Sequence, residues 1–251
     1  MTARRNADPF FIGYLNVVPR PLALFLLLVA AGLVGGMAGL ALAVGSTVND
    51  PGDGRFAGRG EFIGLLRTDP YPVVHVPASA DGPAKAVLLS GPGKRGVQAR
   101  AEPLDGKMVQ VRGAMLKRGS IDMLQVAGGR NGLVEAETDS VAAPEVRSLG
   151  RWRVIGEICD GKCYVGAMRP GRGLAHKACA NLCVIGGIPP VFVSTSPIEG
   201  QVFFLLADAE GQPLPDGLYD KMALMIEVEG EIEQRDDLFV LKVDLAAAKV
   251  L

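Results

Sequence analysis

Cys159, Cys163, Cys179 and Cys183 are all the cysteines of the chain, and His176 is one of its two histidines. They read as C-x3-C, a glycine-rich loop, then H-x2-C-x3-C. On a helix, His176, Cys179 and Cys183 fall at i, i+3 and i+7 and share one face. Sulfur and imidazole nitrogen are ligands for soft and borderline metals. Cys163, His176, Cys179 and Cys183 are therefore a candidate tetrahedral zinc site, and their thiolates equally suit Cu(I). The four cysteines are also an even set for disulfides, with three connectivities. Along a straight strand Cys159 and Cys163 stand roughly 13 Å apart, beyond disulfide reach, so each would pair with Cys179 or Cys183. His176 would then be a surface or capping residue. A third chemistry, thiol redox, needs a lowered thiol pKa, for which Lys162 and Lys177 are the nearby cations. C-x2-C and C-x2-C-H are absent, which removes the thioredoxin and covalent-haem arguments.

These residues sit far behind an apolar run at 22–44 that has no charged and no hydrogen-bonding side chain. Its length is enough to cross a hydrocarbon core of roughly 30 Å. The run is longer than a signal-peptide core and starts late, so it reads as an uncleaved transmembrane signal anchor. Arg4, Arg5 and Arg20 precede it, and Asp50 and Asp53 follow. That bias puts the N-terminus in the cytoplasm and the C-terminal body in the periplasm of a bacterial inner membrane, where disulfides are permitted. Gly32, Gly35, Gly36 and Gly39 make two overlapping G-x3-G pairs, a spacing that lets a partner helix approach closely. Residues 1–21 are a cytoplasmic arm whose Phe10, Phe11 and Tyr14 suit the membrane interface. Residues 45–59 read as an exit linker rich in Gly, Asp and Pro.

The remainder reads as mainly β, short apolar runs separated by turns. A first domain is expected over 60–135, a linker over 136–150 and a second domain over 151–251. VQVRGAMLKRGSIDMLQV (109–126) and IEVEGEIEQRDDLFVLKV (226–243) align at a constant offset of 117. The offset matches Gly113 with Gly230 and Arg118 with Arg235. A strand bent at glycine, then a strand, a turn and a strand is the plan of a small closed barrel. Each domain also opens on a strand containing glycine, Gly64 and Gly156. The second copy is longer from that opening to the pivot glycine, and the Cys/His segment accounts for the excess. The expected architecture is one transmembrane helix followed by two tandem OB-like barrels, the second with a Cys/His-rich helical insertion.

Gly156, Glu157, Asp160, Cys163, Tyr164, His176, Cys179, Ala180, Cys183, Gly187 and Pro189 resemble a pattern of small exported bacterial domains. That pattern runs GE-[IV]-x-D-x-x-C-Y, then H-x-x-C-A-x-x-C, then G-x-P. Cys159 departs from it, standing where an apolar or small residue is usual. The resemblance covers about the last hundred residues and implies an OB-like barrel and an exported compartment. One anchor before an OB-like barrel is also similar to the haem chaperone of cytochrome c maturation. That family's tail motif, a histidine followed by a tyrosine, is missing, so its activity does not carry over.

A net charge of −1, a pI near 6.2 and no basic stripe interleaved with aromatics argue against nucleic acid. No Ser/His/Asp set, phosphate loop or carboxylate pair stands out, so the chain does not read as an enzyme. His75, between valines, reads as structural unless the barrels face each other, and Trp152 as a core or interface anchor. Lys94-Arg95-Gly96 reads as a solvated turn, and Gly186-Gly187 as a sharp exit from the cysteine helix. Together these features predict a membrane-anchored periplasmic accessory or assembly subunit of a membrane protein complex, redox complexes included. The Cys/His segment would be its disulfide staple or metal site. The alternative is a stand-alone metal-binding or thiol-redox protein.

Overall fold

The computed structural model describes residues 18–47, 52–80, 82–138, 143–215 and 218–251. Nearly all of the expected cytoplasmic arm lies outside them. The chain divides into two compact units, Met1–Val48 and Asn49–Leu251. Among its described residues the first contains one helix, α1 (Arg20–Thr47), 28 residues and about 42 Å long. It is long and apolar enough to cross a membrane. It exceeds the expected 22–44 because Pro21 is tolerated in a first helical turn and because the Ala23 amide reaches back to Pro19 O. A Cβ built on Gly32, Gly35, Gly36 or Gly39 meets nothing within 4 Å.

The second unit is mainly β and holds two closed five-stranded barrels. In the first, β1 (Arg55–Arg67), β2 (Val73–Val76), β3 (Lys85–Ser90), β4 (Met108–Arg118) and β5 (Ile121–Val126) run in the order β1-β2-β3-β5-β4, and β4 closes on β1. The β3–β5 pair is parallel and the other pairs antiparallel. A short helix, α2 (Gln98–Ala101), follows β3, and β6 (Leu133–Glu135) adds to β4. The second barrel repeats the order with β7 (Val146–Asp160), β8 (Pro190–Ile198), β9 (Gln201–Ala207), β10 (Met225–Arg235) and β11 (Leu238–Val243). Its parallel pair is β9–β11, and β12 (Lys249–Val250) adds to β10. The helix α3 (Lys177–Ile185) lies between β7 and β8.

The register reproduces the internal repeat. Gly64 faces Val109 and Gly156 faces Ile226, while Gly113 faces Val126 and Gly230 faces Val243. Backbone closeness explains why glycine recurs at these corners. A Cβ on Gly113 would stand 2.0 Å from Gln125 O, and one on Gly230 2.2 Å from Lys242 O. At the opening strands the same test gives 2.4 Å from His75 O for Gly64 and 2.2 Å from Val193 O for Gly156. The strands must cross tightly to close so small a barrel, and no side chain fits at the crossing.

Each barrel has its own interior, built on Leu66, Leu89, Val111 and Leu124 in the first and on Phe192, Phe204, Leu206 and Leu241 in the second. A further cluster joins Leu88, Leu116 and Met123 of the first to Phe203, Leu205 and Val240 of the second. Strands β3, β9 and β11 are therefore buried on both faces and read as unbroken apolar runs instead of alternating. Polar pairs cross the same boundary. His75 Nδ1 lies 2.6 Å from Asp236 Oδ2, and Asp237 Oδ1 accepts from Ala86 N at 2.6 Å.

The strands also reach into both expected linkers. β1 begins at Arg55 and β7 at Val146, where they pair with the far ends of β4 and β10, Arg55 opposite Lys117 and Val146 opposite Arg235. These outer halves are largely exposed, so their polar and glycine-rich sequence carries no apolar alternation. Trp152 lies in this part of β7, opposite Gly230 and 40% exposed, with Nε1 donating to Leu149 O. It is therefore not a core anchor.

Gly113→Ala and Gly230→Ala should each lower unfolding stability by about 2–4 kcal/mol, because a backbone carbonyl must move. Gly128→Ala, where a Cβ meets nothing within 4 Å, should stay within about 0.5 kcal/mol. Chemical denaturation of the three variants checks this.

Candidate metal centre

β7 delivers Asp160 to the second barrel's rim, and a tight turn follows at Cys163–Ala167. The chain then loops to a short 3-10 turn, Leu174–His176, and enters α3. On α3, Cys179 and Cys183 are four residues apart and share a face. That face meets Cys163, and the three sulfurs lie within 4.8 Å of one another. Cys163 Sγ and Cys183 Sγ are 3.9 Å apart. Cys163 and Cys183 are buried with Ile188 packed among them, and Cys179 is half-buried at the rim.

Asp160 organises the approach. It has no exposed surface. Oδ1 accepts the Cys163 amide at 2.8 Å, and Oδ2 lies 3.0 Å from His176 Nε2. A buried carboxylate is tolerated only when its oxygens are satisfied in this way. Asp160, Cys163 and His176 form a second group whose ligand atoms lie within 4.8 Å, so Cys163 belongs to both groups. Glu157 serves the same segment, with Oε2 accepting from Gly173 N at 2.8 Å and Oε1 lying 3.3 Å from Arg172 Nε. Tyr164 stacks on Phe203, with Arg118 of the first barrel over its ring and donating to its carbonyl.

Of the four ligands expected from the sequence, the structure thus gathers three sulfurs and turns His176 to a carboxylate. His176 precedes α3 in the 3-10 turn and does not continue the helical face of Cys179 and Cys183. All four cysteines are free thiols, so the expected disulfide staple is not formed. Cys159 lies apart, in the apolar cluster with Val191 and Leu205, and burial pushes its thiol well above the usual range. It lies outside both candidate ligand groups.

The site's cation comes from the other barrel. Lys94, in the loop after β3, donates from Nζ to Cys179 Sγ at 2.7 Å, to Cys183 Sγ at 3.5 Å and to Cys179 O at 3.2 Å. Its own pKa is raised, chiefly by the bond to Cys179. Hydrogen bonding to Cys183, then burial, pushes Cys163 up, and the same bond pulls Cys183 down, helped by Lys94. Cys183 is the buried thiol that ionises more readily.

Lys162 and Lys177, the cations expected to aid the thiols, point elsewhere. Lys162 Nζ donates to Gly91 O at 2.7 Å and Gly93 O at 2.8 Å, and Lys177 Nζ to Asp220 O. The turn at Lys94-Arg95-Gly96 is therefore a wall of the site, not merely solvated. Only the resemblance pattern singled out Asp160, and nothing local could have found Lys94, 85 residues from Cys179.

Compared with known proteins, the chain matches no family model, no curated protein and no solved structure.

Native-state alkylation should modify Cys179 first and Cys159 last, the latter only on unfolding, because one thiol reaches the rim and the other is 1% exposed. Peptide mass spectrometry after timed iodoacetamide treatment reads the order.

Proposed function

We propose that this chain is a membrane-anchored, exported protein that holds one thiophilic metal ion, Cu(I) foremost, on Cys163, Cys179 and Cys183. The observation that carries this reading is the convergence of three thiols, from one turn and one helix, within 4.8 Å. Three thiolates suit a soft ion of low coordination number. Zinc prefers a fourth protein ligand in a closed site, and the three-sulfur group contains only three. The protein is not read as an enzyme. It acts as an ion-holding accessory or assembly subunit beside a membrane complex.

Several observations support the setting. The strand order of each barrel, with its one parallel pair, fits the OB-like class that the resemblance implies. In that class the loop between the first two strands commonly binds ligands, and the Cys/His segment occupies it in the second barrel. The first barrel spans 11 residues from Gly64 to His75, and the second spans 37 from Gly156 to Val193. That difference supports an inserted Cys/His segment. The helix α1 supports an anchor, and the flanking charges favour a periplasmic body. The open glycine stripe Gly32, Gly35, Gly36 and Gly39 supports a partner helix.

A second reading, a redox dithiol, draws on the 3.9 Å between Cys163 Sγ and Cys183 Sγ. Titration of the reduced full chain in detergent with Cu(I), against a chromophoric chelator, separates the two. One equivalent should bind, and Cys163→Ser, Cys179→Ser and Cys183→Ser should each abolish stoichiometric binding. His176→Ala should keep the stoichiometry and weaken affinity by about tenfold, since it acts through Asp160. If no ion binds and a thiol-disulfide oxidant added to the reduced chain joins Cys163 to Cys183, taking up their two electrons, the dithiol reading replaces this one. Mild detergent extraction should bring a stoichiometric membrane partner with the chain. A lone monomer would remove the subunit role and leave the ion site standing.

A further inference from the structure

We infer that Lys94 of the first barrel is a tethered competitor for the ion site of the second, so that ion binding exchanges its ammonium for the metal. The inference rests on the three-thiol reading above and concerns how that site is loaded. The ammonium touches Cys179 Sγ at 2.7 Å and Cys183 Sγ at 3.5 Å. It bears three donors and no lone pair, so it cannot itself become a ligand. It engages the sulfur electrons that an incoming cation needs, and it repels that cation at close range.

The placement is built rather than incidental. The backbone around Lys94 is pinned to the cysteine segment at several points. Gly96 N donates to Gly186 O at 2.7 Å, just past the end of α3, while Gly91 N donates to Arg95 O at 2.7 Å and closes the loop on itself. The buried Lys162, one residue before Cys163, holds Gly91 O and Gly93 O. The fit is close enough that a Cβ on Gly186 would stand 1.7 Å from Lys94 O, and one on Gly96 2.1 Å from Gly187 O. The base of the lysine is thereby fixed, while its side chain is exposed and free to swing into water. Loading needs only that swing, with the loop backbone left in place.

The exchange has a definite thermodynamic sign. A contact made only before the ion binds stabilises the ion-free protein, whatever the thiol protonation. Deleting it can therefore only tighten binding. If Lys94 instead stayed as counter-ion to the loaded, anionic site, deleting it would weaken binding.

The test compares the reduced full chain in detergent with Lys94→Met and Lys94→Arg, titrated with Cu(I) against the same chelator at low salt. Lys94→Met should tighten binding by about two- to fivefold, the range of a partly exposed ion pair, and Lys94→Arg should stay nearer the wild type. Raising the salt should narrow the gap between wild type and Lys94→Met. Unchanged or weaker binding by Lys94→Met, with one equivalent still bound, overturns the exchange and leaves the ion site intact. If wild type and both variants all fail to bind, the ion site and the exchange fall together.

Discussion

The candidate site depends on one buried carboxylate. Asp160 ends β7 with no surface exposed, and both of its oxygens are used, one by the Cys163 amide and the other by His176. Those bonds fix the turn that carries Cys163 and the start of the helix that carries Cys179 and Cys183. Removing the carboxylate would leave a buried amide and a buried imidazole without this partner, and the turn would then meet the helix through the Cys163–Cys183 sulfur contact. The turn and the start of the helix are thus tied by the need to satisfy one buried polar group, a requirement that a surface loop would not face.

The second constraint is the pairing of the barrels. Their shared apolar cluster buries β3, β9 and β11 on both faces, which makes the body one compact unit rather than two beads on a linker. The same pairing lays the loop after β3 along Gly186 and Gly187, where no side chain intervenes, and so aims Lys94 at the thiols. The first barrel is therefore more than a scaffold, because it contributes the cation that faces the site. His75 shows the same principle at the opposite kind of position. Its imidazole meets Asp236 across the boundary, and burial lowers its pKa below the usual histidine value, so it serves packing and not the metal centre.

Much of this architecture is legible in the chain because its signals are local or periodic. The helix announces itself by an uncharged apolar run, and the repeat by glycines that recur at an offset of 117, each demanded by a strand crossing. The cysteines at i and i+4 are readable as a shared helical face. His176 stands one residue before α3 and groups with Asp160 and Cys163, a placement that helical spacing alone does not reveal. The linkers mislead because the outer halves of β1 and β7 are exposed and lack alternation. Lys94 is illegible for a different reason: its partner lies in the other barrel, and only the docking of the two brings them together. Asp160 was readable as part of a pattern, but its task as a shared acceptor appears only in three dimensions.

The most direct test of the central claim is X-ray absorption on the Cu(I)-loaded full chain. The account predicts a single copper in a shell of three sulfurs and no imidazole nitrogen. A shell containing histidine nitrogen, or one with two sulfurs only, would contradict it.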